Sequence, residues 1–193
     1  MTKPPTKDTS ATTSEVQPAS EAALQEGINE QSYWLIKEGM AAKLGARAEG
    51  SIHYQVLADA DRQQLYIAIT ANESGGYFSR ERVPVDQIEK CLTATPSKPF
   101  PSKTFKDAFV GKSSNNAGFM TAILRSEGLL GAAPEAETQH VIVGDLDAWK
   151  SKLLTEQGTP ITLPEKGNSK TVPDAGPAPD TAKTLTLPRK KSA

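Results

Sequence analysis

The sequence predicts an α+β fold: a small antiparallel sheet, a hairpin plus a third strand, with helices packed on one face and disordered tails on both sides. Three observations carry this expectation. Hydrophobic patterning is confined to about Ser32–Leu154, the segment that holds every aromatic residue, both histidines and the lone cysteine. Two period-two runs, Ile52–Ala58 and Leu65–Thr70, are joined by the polar loop Asp59–Gln63 and read as a hairpin. After Pro84, helical spacings recur with start and stop signals of their own.

The flanking stretches are rich in Pro, Thr, Ser, Ala and Lys and have no aromatic residue, a composition too poor in apolar surface to offset the entropy of ordering. Residues 1–20 and 157–193 are therefore expected to be disordered tails around a single domain, 21–156.

Within the domain a loose helix is expected over Ser20–Ile28, then a second from Tyr33 to about Leu44, its imperfect apolar face made by Trp34, Leu35, Met40 and Leu44. The hairpin follows. Gly75 and Gly76 mark a turn into a third strand, Tyr77–Val83. Val85–Leu92 is a helix turning Ile88, Cys91 and Leu92 inward, with Asp86 as its cap or first-turn acid. A proline-rich loop, Thr93–Lys103, leads to a short helix at Thr104–Val110. Ser113, Ser114 or Asn115 then caps a helix with the stripe Phe119, Met120, Ile123 and Leu124, ended by Gly128 in a left-handed conformation. Ala132–Thr138 reads as an acidic loop, His140–Val143 as a buried strand, and Asp145 caps a last helix with Trp149, Leu153 and Leu154 inside.

Formal net charge is −1, and the patterned segment balances fourteen basic against fourteen acidic residues, so no global field draws it to nucleic acid or membrane. Any polyanion contact must be local. Cys91 alone forms no intrachain disulfide or cysteine zinc cluster and suits a reducing compartment, with the cytoplasm expected. The N-terminus lacks the pattern of a secretory signal, no apolar run is long enough to span a bilayer, and the basic end Arg189–Lys191 reads as solvated tail.

No catalytic motif survives scrutiny, and neither a metal nor a cofactor is expected. Gly111-Lys112-Ser113 matches the end of a phosphate-binding loop, but position 106 is Lys where that pattern needs Gly, and the preceding residues read as helix instead of strand. His53, His140 and Cys91 are too dispersed for metal-ligand spacing.

Two segments are candidates for binding. If Tyr77–Val83 is a strand, alternation puts Phe78, Arg80 and Arg82 on one face, a strip for base stacking and phosphate contact. The other is the helix opened by Lys112, whose outer surface would carry Asn116 and Arg125 and suit a phosphate or a groove edge. With Thr138–Val143 as a wing strand, that arrangement resembles a winged-helix recognition helix, in pattern only. The sequence thus points to a small non-enzymatic nucleic-acid-binding or regulatory module contacting its target through Phe78, Arg80, Arg82, Lys112, Asn116 and Arg125. The alternative is a protein–protein adaptor or inhibitor using the same surface, with the tails as tethers.

Overall fold

A computed structural model of the chain describes residues 30–45, 48–95 and 98–165. The expected N-terminal tail, the helix expected over 20–28 and residues 166–193 of the expected C-terminal tail lie outside the described residues. Along the chain run β1 (Glu30–Ala42), β2 (Ser51–Asp59), β3 (Leu65–Asn72), β4 (Arg82–Pro84), α1 (Val85–Thr93), β5 (Phe100–Pro101), a 3-10 helix (Ser102–Ala108), α2 (Asn116–Ser126), β6 (Leu130–Ala133), β7 (Ala136–Ile142), α3 (Leu146–Thr155) and β8 (Thr159–Pro164). The class is α+β. A five-stranded sheet has the order β4-β3-β2-β1-β8, a three-stranded one β5-β7-β6, and every paired strand is antiparallel.

The β2–β3 hairpin forms as expected, because Asp59 organises its turn: the carboxylate accepts from the Gln63 and Gln64 amides at 2.7 and 2.9 Å. Alternation then gives the large sheet an inner face of Ile52, Tyr54, Val56 and Ala58 from β2 and Leu65, Ile67 and Ile69 from β3. Ile88 and Leu92 of α1 and Met120, Ile123 and Leu124 of α2 close the core against it. Each such side chain, fully buried, contributes about 1.5–3 kcal/mol.

The segment expected as a helix at Tyr33–Leu44 is instead strand β1, paired with β2 and β8. Its apolar residues serve both faces of the sheet, and a bulge between Leu35 and Lys37 shifts the alternation, so period two is blurred. Gly39 fits this strand because the Tyr54 ring crosses where a Cβ would stand.

The third strand shrinks to Arg82–Pro84, leaving Tyr77–Glu81 as loop, since side chains from elsewhere take up its hydrogen bonds. The large sheet gains β8 within the stretch expected as tail from 157, so the ordered chain continues to Pro164. Ile161 and Leu163 alternate there with β-branched threonines, enough for an edge strand. Pro160 and Pro164 each lack a backbone donor, which suits an edge strand and discourages a sixth strand.

Other boundaries follow local chemistry. Pro84 is the N-cap of α1, so Asp86 is a first-turn acid and not the cap. The helix expected at Thr104–Val110 is 3-10 over Ser102–Ala108. Gly128, at φ +74°, ends α2 in a Schellman motif, with the Leu129 amide donating to the Leu124 carbonyl at 2.9 Å and the Gly128 amide to Arg125 at 3.1 Å. The acidic loop is a hairpin, β6–β7, turning at Pro134-Glu135. Asp145 caps α3, accepting from the Ala148 amide at 2.9 Å. At the β2–β3 tip, Arg62 adopts φ +54°; its guanidinium lies over Trp34 and donates to the carbonyls of Leu154 and Glu156 at 3.3 and 2.5 Å, fixing the end of α3.

Candidate functional site

Two loops, 77–81 and 110–116, are tied together by the best-formed polar network of the described residues. The buried Glu81 carboxylate accepts from the amides of Val110 and Gly111 at 3.0 and 2.9 Å and from Ser79 Oγ at 2.6 Å. Asn116, 2% exposed, accepts from the Ser79 amide at 2.9 Å and donates to the Gly111 carbonyl at 3.1 Å. Ser113 Oγ and Asn115 Nδ2 both donate to the Tyr77 carbonyl, at 2.6 and 3.0 Å. The loops approach so closely that a Cβ at Gly111 would stand 2.6 Å from Ser79 Oγ. Gly75 and Gly76, at φ +72° and +102°, bring the chain into this arrangement.

The network holds two large apolar side chains in solvent: Tyr77 is 61% exposed and Val110 85%. Lys112 lies between the anchored Gly111 and Ser113, is exposed, and has no partner among the described residues. Such rigid presentation of an aromatic and a cation suits a binding surface.

The residues expected at the site are not brought together as one surface. Phe78 is buried against Phe119, ring centroids 6.5 Å apart, whereas Tyr77 is the exposed ring, the reverse of a strip led by Phe78. Strand alternation does not apply, because this segment is a loop. Arg80 is exposed but lies over the Phe78 ring and donates to the Thr70 carbonyl at 3.1 Å. Arg82 lies over Tyr33 and donates to the Pro164 carbonyl at 2.8 Å, a contact that joins β4 to the end of β8. Asn116 belongs to the buried network, and Arg125 is half-buried with its charge felt by His140.

The helix expected to resemble a winged-helix recognition helix, α2, does not present a reading face. Asn116 and Met120 to Leu124 are buried, and Thr121 Oγ1 is bonded to the Ala117 carbonyl within the helix. Sequence reasoning missed Tyr77 and Val110, and also Lys98, Lys103 and Lys106, all three exposed. The signal for the lysines was available: from Lys98 to Lys112 four lysines face one acid, Asp107, an excess hidden when charge is balanced over the whole domain.

Two further polar clusters have structural explanations. The Glu127 carboxylate, 4% exposed, accepts from Lys37 Nζ at 2.8 and 3.0 Å, from Trp149 Nε1 at 3.0 Å and from the Tyr54 hydroxyl, linking β1, β2, α2 and α3. Burial works to raise its carboxyl, but the bonds from Lys37, Tyr54 and Trp149 outweigh burial and hold it below the usual carboxylate range. Burial, with Glu127 as a second cause, pushes the Tyr54 phenol well up.

The second cluster pairs Ser102 Oγ with His140 Nε2 at 2.8 Å, a spacing that suits a nucleophile and base. To take the serine proton, however, Nε2 needs the Nδ1–H tautomer, and the buried Nδ1 has no partner to hold it. Burial first and the Arg125 charge second push the imidazole down, opposing the imidazolium such chemistry requires. Among the described residues no three of His, Cys, Asp and Glu group as metal ligands, and no helix is long and apolar enough to cross a membrane.

Comparison with protein-family models, with curated proteins and with solved structures finds no match to the chain.

Proposed function

We propose that the chain is a small non-enzymatic module that binds nucleic acid through its phosphodiester backbone, acting in the cytoplasm without a cofactor or membrane partner. The observation that supports this reading is where the fold leaves its cations unengaged. Many cations elsewhere are occupied: Lys37 by Glu127, Lys150 by Asp86, Glu89 and Asp147, Lys152 by Glu156, and Arg62, Arg80 and Arg82 by backbone carbonyls. Among the described residues the side chains of Lys90, Lys98, Lys103, Lys106, Lys112 and Arg125 have no hydrogen-bond or ion-pair partner, and the four lysines from Lys98 to Lys112 follow one another from just before β5 to the loop before α2. The three-residue repeat of the 3-10 helix stacks Lys103 and Lys106 on one ridge, while Phe105 and Ala108 turn inward. Lysines free of intramolecular acids lose nothing by pairing with phosphate, and the counterions they displace supply the driving force.

The test is fluorescence anisotropy of a labelled oligonucleotide of roughly 20 nucleotides, long enough for one site, at low salt. Joint replacement Lys98→Ala, Lys103→Ala and Lys106→Ala should weaken binding at least about ten-fold and leave the thermal midpoint unchanged. Wild-type affinity in that variant, or no binding by the wild type, overturns the proposal. A protein partner is the second reading, favoured by the exposure of the large apolar side chains Val110 and Tyr77; it would give association insensitive to nuclease and nearly insensitive to salt.

A further inference from the structure

Resting on the nucleic-acid reading, we infer that the ligand is a single strand, with Tyr77 the side chain on which a base stacks and Lys112 the adjacent phosphate contact. A duplex is read by an element free to enter a groove. The helix expected for that task from the sequence, α2, is enclosed along most of its length. Its first turn is covered by the 77–81 loop through Asn116, and its last is held by Lys37 and Trp149 at Glu127. The β6–β7 hairpin exposes Glu135 and Glu137, which repel the backbone a wing would otherwise touch.

Tyr77 has the opposite character. Its ring is exposed while its carbonyl is pinned by Ser113 and Asn115, so little freedom remains to be lost on binding. The two residues before it are glycines; a Cβ at Gly76 would meet Asn115 Nδ2 at 3.3 Å, whereas one at Gly75 would meet nothing within 4 Å, so the turn that leads into the exposed ring carries no side chain of its own. Lys112, exposed, immediately precedes Ser113 on the loop that makes those two bonds, so its backbone is held near that of Tyr77, within reach of the phosphate of a base stacked there. Stacking on an aromatic tolerates any base, and a base must be unpaired to offer its face. The ligand class is therefore an unpaired, sequence-tolerant stretch of DNA or RNA.

The full chain is titrated by anisotropy against a labelled oligo(dT) and against a duplex of equal length, as wild type, Tyr77→Phe and Tyr77→Ala, with thermal midpoints confirming that all three fold. The wild type should prefer the single strand by about ten-fold or more. Tyr77→Phe should keep that preference. Tyr77→Ala should lose about ten-fold on the single strand alone, with the salt slope unchanged because no cation is removed. Equal or tighter binding of the duplex by wild type, or Tyr77→Ala matching wild type on the single strand, overturns the inference while nucleic-acid binding stands. Binding of neither form overturns both.

Discussion

Replacing Glu127 by Gln tests whether one carboxylate joins the large sheet to its last two helices. The change keeps the side chain's size, but the wild-type oxygens accept four hydrogen bonds, two from Lys37 Nζ and one each from the Tyr54 hydroxyl and Trp149 Nε1. An amide has one acceptor, so its NH2 must face Lys37 together with either Tyr54 or Trp149, and the lysine and the indole can only donate. Lys37 is 42% exposed and finds water, whereas Trp149 Nε1 and the Glu127 position are more enclosed. Losing a charge-assisted bond and opposing two donors costs about 2–3 kcal/mol, which for a domain of this size lowers the thermal midpoint by about 6–12 °C. Lys37→Met should cost less, about 1–2 kcal/mol, because two neutral donors still serve the carboxylate. Urea titration followed by tryptophan fluorescence reads both, since Trp149 donates to Glu127 and Trp34 packs against the core. If Glu127→Gln stays within about 0.5 kcal/mol of wild type, or if Lys37→Met costs more, the carboxylate is not the hub.

Gly39→Ala should destabilise by about 1–3 kcal/mol in chemical denaturation, because the added methyl overlaps the Tyr54 ring that Glu127 holds in place; a neutral result would mean that the ring moves aside freely. Asn116→Ala leaves the Ser79 amide and the Gly111 carbonyl without their partner and should cost about 2–4 kcal/mol, with amide exchange at Ser79 accelerated; unchanged exchange would remove Asn116 from the network. His140 binds its proton less readily folded than unfolded, so the unfolded state takes up protons first as pH falls, and stability present above about pH 6.5 should be lost below it. His140→Gln should flatten that limb and retain the separate loss at lower pH from Glu127, whose carboxyl is held below the ordinary range; a wild-type curve flat between about pH 6.5 and 5 would contradict this.

Elements whose signals are local were legible in the sequence. Asp59 organises its own turn, Gly128 closes α2 and Asp145 opens α3, each within five residues of the groups it satisfies. Elements decided by distant partners were not. Strand β1 has neighbours on both sides and apolar residues on both faces, so its pattern imitated a helix. The strand expected at Tyr77–Val83 is mostly loop because Asn116, more than thirty residues later in the chain, takes the Ser79 amide. Strand β8 was concealed by the composition of the stretch that follows it. The same distinction governs the site. The exposure of Lys112 before a helix was legible locally, but the exchange of Phe78 for Tyr77 as the exposed ring depends on Phe119 and on the Ser113 and Asn115 anchors, which no local rule supplies.

The most direct measurement of the central claim is the dependence of single-strand affinity on salt for the wild-type chain. Four lysines neutralising four phosphates predict a plot of log K against log salt with a slope of about −3. Lys112→Ala should make it shallower by about 0.7. A folded chain that binds no oligonucleotide at low salt, or binds with a slope near zero, would contradict the account and leave the exposed Tyr77–Val110 surface to a protein partner.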